Sequence, residues 1–400
     1  MRLMIAAPEH GRQWGGIGTY VQSVARELGP RHEITLLSGG GSSMEGARTV
    51  PLVRGGDSIV ATYARFQIAL RRQWPALLRE HRPDLLVVHH AQMPDLLATP
   101  RCPVVVTTHT TVLGQARGVW AAFRSRSPLD ASERATLALA PVLLPAEAYY
   151  WGRASHALFV SEAVRREVEG VYHPALVSAA TVPNGIDLDG LVRGAAATSP
   201  HPPGFLLTTG RLLGWKGLAI LLRAVRRLRR APVLLVTGSG DLEKWRGYAR
   251  SLGLGEDRVR FLGSVPRPEL LALLRDARLF AFPSFTESCP YSLIEAMAFG
   301  RPIVATGIPA IQAMVEDRVS AHLVPRGDDA ALAAGIERLL LDPSGARRLG
   351  EAARERARRS FGVDRMVRDT LRFFESVLAN TASRPSPADR PAPQSSSRAG

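Results

Sequence analysis

A rhythm constrains what this chain can fold into: short apolar runs alternate with longer amphipathic ones, stop, and begin again. Arg2–Pro8 reads as a strand, a glycine-rich loop follows through Gly18, Ile17–Leu28 reads as a helix and His32–Ser38 as the next strand. Asp84–His89, Pro103–His109 and His156–Val160 continue the series as buried strands. Strands separated by helices imply a parallel sheet with helices on both faces. At Gly190–Gly204 (GLVRGAAATSPHPPG) the rhythm breaks; the stretch has no apolar period and reads as a linker. It restarts with a strand at Gly204–Thr209, a helix at Gly217–Arg230 and strands at Pro232–Thr237, Arg258–Leu262, Arg278–Pro283 and Arg301–Thr306. The expectation is α/β: two tandem doubly wound domains, residues 1–189 and 205–361, facing across a cleft, with a helix over 362–379 packing back on the first. Ligands of such sheets sit at the carboxyl ends of the strands. The tail Thr381–Gly400 is rich in Pro, Ser and Ala and is expected to be disordered.

Composition narrows the setting. No run of roughly 18 apolar residues exists, so no membrane-spanning helix is expected. The apolar part of MRLMIAAPEH is shorter than the roughly 7 residues a secretory signal needs. Cys102 and Cys289 are the only cysteines, too few for a disulfide framework or a thiolate zinc site, and a reducing cytoplasm fits. Net charge is +15, nearly all from arginine, since Lys216 and Lys244 are the only lysines. A GC-rich genome accounts for that, or an anionic partner: a nucleotide, a membrane surface or nucleic acid. Nucleic acid is the weaker choice, because the arginines are scattered and lack interleaved aromatics. Tyr63–Arg82 (YARFQIALRRQWPALLREHR) is basic and amphipathic. Such a segment lies peripherally on anionic lipid or is an ordinary surface helix, broken near Pro75. Gln115–Ser127 reads as a second basic loop that could receive an acceptor.

Two loops carry chemistry. Gly210-Arg211-Leu212-Leu213-Gly214-Trp215-Lys216-Gly217 follows a strand and precedes a helix. Two cations, glycines that admit close backbone approach and a helix N-terminus together suit an anion, most simply a diphosphate. Solvated loop charges remain the bland alternative. In Pro283–Gly300 a strand feeds a loop bearing Glu287, and a helix begins near Tyr291 and bears Glu295, eight positions on. The carboxylates could accept from sugar hydroxyls, and the amides of Tyr291, Ser292 and Leu293 could hold a phosphate. On spacing alone, a plain helix start explains them as well.

These residues carry a resemblance to the retaining glycosyltransferases of family 4, which have the GT-B fold of two Rossmann-like domains. It runs from about Arg2 to Leu378. Its most specific part is Glu287-x7-Glu295 followed by Ala-Met-Ala-x-Gly-x-Pro; the Gly210–Gly217 loop, Pro183-Asn184-Gly185-Ile186-Asp187, Ser161-Glu162, Phe261-Leu262-Gly263 and Gly15-Gly16-Ile17-Gly18 also match. The resemblance implies a nucleotide diphosphate sugar donor, with UDP the expected nucleotide, and a hydroxyl acceptor on a glycan, glycolipid or small metabolite. It implies that Arg211 and Lys216 neutralise the leaving diphosphate, Glu295 binds ribose, Glu287 contacts the transferred sugar and the Gly16 amide approaches the phosphates. His109 would stand beside the reacting sugar, and no metal or cofactor is expected. Where many members have Gly-Phe-Gly after the first glutamate, this chain has Ser288-Cys289-Pro290, which bears on the sugar pocket. Asp187-Leu-Asp189 reads as a connector rather than a metal motif, and His89-His90 as structural. The rival readings are a nucleotide-sugar epimerase of similar fold and a non-catalytic anion-binding protein.

Overall fold

The computed structural model describes residues 1–8, 15–40, 43–53, 59–89, 102–195, 198–230 and 232–382. The first unit is a sheet of β1 (Arg2–Ala7), β2 (Glu33–Ser38), β3 (Arg48–Pro51), β4 (Leu85–His89), β5 (Val104–Thr108), β6 (His156–Phe159) and β7 (Ser178–Thr181). Their order is β3-β2-β1-β4-β5-β6-β7, and every pairing is parallel. Ile5, Leu36 and Val87 face one side and Met4, Leu37 and Val88 the other, so the centre of the sheet is apolar on both faces, as a parallel sheet requires.

One face is covered by the helix Gly16–Leu28 and by the C-terminal helix Val363–Ala382, through Tyr20, Val21, Val24, Met366, Phe374 and Val377. The helix Ile59–His81 covers the other, burying Phe66, Leu70, Trp74 and Leu77. This helix runs through Pro75 and is not broken there. The interior proline costs about 3 kcal/mol, but burial of Trp74 and Leu77 around it offsets that loss. Its apolar face is therefore already used by the sheet.

The second unit contains β8 (Leu206–Thr209), β9 (Leu234–Thr237), β10 (Val259–Gly263), β11 (Leu279–Phe282), β12 (Ile303–Thr306) and β13 (His322–Val324). Their order is β10-β9-β8-β11-β12-β13, again parallel throughout. Two apolar clusters, centred on Phe280 and Leu293 and on Leu221 and Val236, occupy its two faces. The units are two Rossmann-like domains of GT-B type.

The expected linker does not begin at Gly190: residues Leu188–Arg193 form a short helix. The Asp187 carboxylate caps it by accepting from the Gly190 amide at 2.8 Å, which explains an ordered start in a glycine-rich stretch. Residues 196–197 of the linker and 383–400 of the tail lie outside the described residues. Gln115–Ser127 is not a loop either, since Val112–Arg124 is helical. The Thr111 hydroxyl caps it, accepting from the Gly114 amide at 2.8 Å, and its glycines are tolerated because neighbours pack against them. Among the described residues no helix is long and apolar enough to cross a membrane.

Candidate active site

Both sheets reverse their strand order once, the first between β1 and β4 and the second between β8 and β11. Such points open a crevice at the carboxyl ends of the strands. Gly16 follows β1 and His89 ends β4; the Arg211 and Glu287 loops follow β8 and β11. Residues 9–14 and His90 lie outside the described residues.

After β8 the chain turns through Gly210 and a single helical turn, Gly214–Lys216, into the helix Leu218–Arg227. Gly217 has φ +77°, and a Cβ there would collide with the Pro283 carbonyl. Only glycine lets the two loops approach so closely. That approach sets Lys216 against the β11 loop: its Nζ lies 2.7 Å from Glu287 Oε1 and 4.3 Å from the centre of the Trp215 ring. The Glu287 side chain is 6% exposed, so the ion pair is largely shielded. Arg211 is exposed and makes no ion pair among the described residues. It shares a pocket with Thr208, Gly210, Lys216, Pro283 and Ser284. The Thr209 hydroxyl, also in that pocket, is buried without a hydrogen-bond partner. Orphaned polar atoms of that kind mark places a ligand or water completes.

The helix Tyr291–Ala298 begins at Pro290 with no side-chain cap and no acidic residue in its first turn. Its amides are thus available to an anion, with one exception. The Leu293 amide already donates to the Pro290 carbonyl at 3.2 Å, and Leu293 is buried in the core, leaving Tyr291 and Ser292 as the donors. Glu295, one turn on, is 8% exposed and is held by Arg267 at 2.6 Å through Oε1. The Cys289 side chain sits in the apolar core, where burial pushes its thiol up to about 12. Its carbonyl accepts from the Asn184 amide group at 2.8 Å. The Ser-Cys-Pro segment is thereby fastened to the crossing between the domains.

Across the cleft, Gly16 opens the helix Gly16–Leu28, which likewise has no side-chain cap and no acid in its first turn. A Cβ on Gly16 would lie 3.5 Å from the Tyr291 ring. Two uncapped helix N-termini therefore meet, one from each domain. Each contributes free N–H groups and roughly half a positive charge. One turn beyond Gly16, the Tyr20 ring packs edge-on against His109 at 5.0 Å and tilts over His89 at 5.4 Å. His109 Nε2 and His89 Nδ1 are 3.0 Å apart, and the Tyr20 hydroxyl bonds Thr370 Oγ1 at 3.1 Å. Burial lowers His89 to about 3, so it is neutral at pH 7 and orients His109 as a hydrogen-bond partner. His109 stands on the wall opposite Lys216 and Glu287.

The helix Val112–Arg124 joins the walls. Its first amides, Val112 and Leu113, donate to the buried Glu147 carboxylate at 2.9 and 3.3 Å, and the Tyr172 hydroxyl donates to it at 2.5 Å. Desolvation pushes Glu147 above the usual carboxylate range. Farther on, a Cβ at Gly118 would overlap the Thr286 side chain, next to Glu287. The Trp215 amide donates to Glu133 at 2.9 Å, and Arg223 donates to the Ser125 carbonyl at 3.1 Å. The second domain is thus seated on a helical hairpin of the first.

The structure brings Arg211 and Lys216 to one pocket, pairs Lys216 with Glu287 beside it and sets Gly16 against Tyr291. Four contributors escape sequence reading: Arg267, His89, Glu133 and Asn184 in its bridging role. Arg267 is one arginine among many, and its partner Glu295 is 28 positions away. For His89 a signal existed, since it ends a strand at the sheet's switch point. Among the described residues no three His, Cys, Asp or Glu side chains gather as a metal site, and Asp187 is engaged as a helix cap.

Comparison with known proteins identifies the family and the fold. Residues 14–189 match the family model described as Glycosyltransferase Family 4, and residues 203–342 the one described as Glycosyl transferases group 1. Glycogen synthase of Mycobacterium tuberculosis is 27% identical over 397 residues, covering 90% of this chain and 91% of that protein. Phosphatidyl-myo-inositol mannosyltransferase of the same species is 27% identical over 406 residues, covering 96% and 98%. Among solved structures, sucrose-phosphate synthase from Thermosynechococcus elongatus superposes with a TM-score of 0.76 at 20% identity, covering 95% of this chain and 100% of the other. Anabaena Alr3699/HepE in complex with UDP-glucose gives 0.72 at 17% identity, covering 94% and 100%.

Proposed function

This chain belongs to the glycosyltransferases, its first domain of the family 4 type and its second of group 1, and from that premise we propose a specific reaction. It moves a hexose-type sugar from a UDP-linked donor to a hydroxyl of a glycan, glycolipid or small metabolite, with retention and without a metal ion. Use of a nucleotide-sugar donor goes with the family; that HepE of the same fold is seen with UDP-glucose supports uridine as the nucleoside. The observation that carries the reading is the Lys216–Glu287 pair, 2.7 Å apart beside the pocket of Arg211. One site there offers a cation to phosphate and a carboxylate to sugar hydroxyls.

The reaction breaks the bond between the anomeric carbon and the diphosphate oxygen, so negative charge grows on the leaving phosphate. Lys216, Arg211 and the amides of Gly16, Tyr291 and Ser292 interact more strongly with that charge than with the ground state, which is what accelerates a step. Glu295, held by Arg267, accepts from the ribose hydroxyls. Glu287 accepts from the transferred sugar, and His109 faces that sugar from the other wall. Retention follows when the acceptor attacks from the face the phosphate leaves, with the phosphate oxygen taking the acceptor proton. Two free cysteines fit a reducing cytoplasm.

The test is slow donor hydrolysis without acceptor, with UDP, GDP, ADP and dTDP sugars side by side, following release of nucleoside diphosphate. UDP release from at least one UDP-sugar is expected. If no donor is cleaved and no nucleotide raises the melting temperature, the reading fails.

A further inference from the structure

The helix Ala131–Trp151, partner of Val112–Arg124 in the hairpin, has a surface out of keeping with its position. From Ala135 to Ala146 it carries no charged residue, yet much of it is uncovered. Leu139 is 45% exposed, Val142 69% and Tyr149 57%. A helix apolar all round belongs in a core or in lipid. On the neighbouring helix, Trp120 and Phe123 are stacked on each other at 5.6 Å and are both more than half exposed. Trp120 is two positions from both Gly118 and Ala122, which pack on the second domain, and so lies about 200° around the helix, pointing away from it.

The charges around this apolar face have one sign. Arg117, Arg124, Arg126, Arg134 and Arg153 are exposed on or beside the two helices, and Arg153 stacks over the Tyr149 ring at 5.7 Å. Between Thr110 and Leu129 there is no acidic residue. Of the nearby acids, Glu133 and Glu147 are buried, Glu167 is paired with Arg117, and the half-buried Asp130 is engaged as the N-cap of the helix Ala131–Trp151. A contiguous apolar surface with a rim is a docking site. An all-arginine rim argues against a second copy of this chain, whose like rim would meet it across a two-fold axis. Aromatic residues at the edge of an apolar face with arginines around it suit the headgroup region of an anionic bilayer.

We infer that the hairpin Val112–Trp151 is a membrane-docking face that inserts Trp120, Phe123, Leu139 and Val142 into the surface of an anionic phospholipid bilayer. The helix Ile59–His81 is not that face, because its apolar side is buried against the sheet. Docking through the hairpin sets the bilayer about one helix diameter, roughly 10 Å, from the loop bearing Thr286 and Glu287.

The full chain is sedimented with vesicles of pure phosphatidylcholine and of phosphatidylcholine with one third phosphatidylglycerol, a readout independent of any sugar donor. Binding to the anionic vesicles is expected, with little to the neutral ones. Val142→Glu and Trp120→Glu, both at exposed positions, should each lower the partition coefficient about tenfold or more. Arg124→Glu should lower it at least about fivefold, and the difference should shrink in high salt. Donor hydrolysis by the three variants stays at the wild-type rate. The inference is overturned by no binding, by equal binding to both vesicles, or by variants that bind as wild type. It is equally overturned if sedimentation velocity shows a dimer that Val142→Glu dissolves.

Discussion

Glu287 competes with the donor for Lys216, and this makes an unusual prediction for Glu287→Gln. The two charges sit 2.7 Å apart, with the lysine 23% and the glutamate 6% exposed. At an effective dielectric constant of about 20 the attraction is roughly 6 kcal/mol, before the desolvation that offsets much of it. A diphosphate that shares Lys216 with Glu287 gains only part of the lysine's charge and also feels the carboxylate's repulsion. Releasing even a quarter of that attraction to the phosphate is about 1.4 kcal/mol, or tenfold in affinity. Glu287→Gln should therefore bind UDP about tenfold more tightly by titration calorimetry, while turnover of the UDP-sugar falls about a hundredfold because the sugar contact is gone. Lys216→Met alone leaves a buried carboxylate uncompensated, at a cost of about 3 kcal/mol in stability; adding Glu287→Gln should recover most of it. UDP binding that is unchanged or weaker in Glu287→Gln would refute the competition, whatever happens to turnover.

Three further outcomes are expected. Glu295→Ala should weaken UDP about tenfold but leave binding of a 2′,3′-dideoxy analogue unchanged, because the carboxylate acts through the ribose hydroxyls. Gly118→Ala pushes a methyl group into Thr286, so the fit of the hairpin on the second domain should worsen by about 1–3 kcal/mol; a lower kcat/KM, partly restored by adding Thr286→Ala, checks it. His89 is lowered to about 3 in the folded chain, so its contribution to stability is complete above pH 6.5 and is lost as pH falls toward 3. The slope is about 1.4 kcal/mol per pH unit, which amounts to roughly 3 kcal/mol between pH 6.5 and 4.5. Urea unfolding of the wild type should show that loss, and His89→Gln should lack it.

The parts of this fold that sequence made legible are those where an apolar run does one job. β1, β4 and β11 are buried on both faces, and their apolar runs leave no alternative. β3 and β7 were invisible because they are edge strands: Ser178–Thr181 is Ser-Ala-Ala-Thr, half-buried and without a branched aliphatic. The helix Ala131–Trp151 was hidden by Pro141 and Pro145, both inside it, and by the lack of an amphipathic period. At the site, the Arg211–Gly217 and Glu287–Glu295 loops could be read because each holds its chemistry within a few residues. Arg267 on Glu295, Glu133 on Trp215 and Asn184 on Cys289 join positions 28, 82 and 105 apart, and local pattern carries no trace of such distances.

The C-terminal helix carries a consequence for the order in which the protein is made. Val363, Met366, Phe374 and Val377 complete the core of the first domain, and Thr370 bonds the hydroxyl of Tyr20. The ribosome delivers those residues only after the whole second domain has been synthesised. The first domain to emerge is thus the last to finish folding, and until release it presents an open apolar face of the helix Gly16–Leu28. The second domain, whose sheet draws on residues Leu206–Val324 alone, is free to close on its own while the first one waits. A stop codon a few turns early would cripple a domain at the other end of the gene.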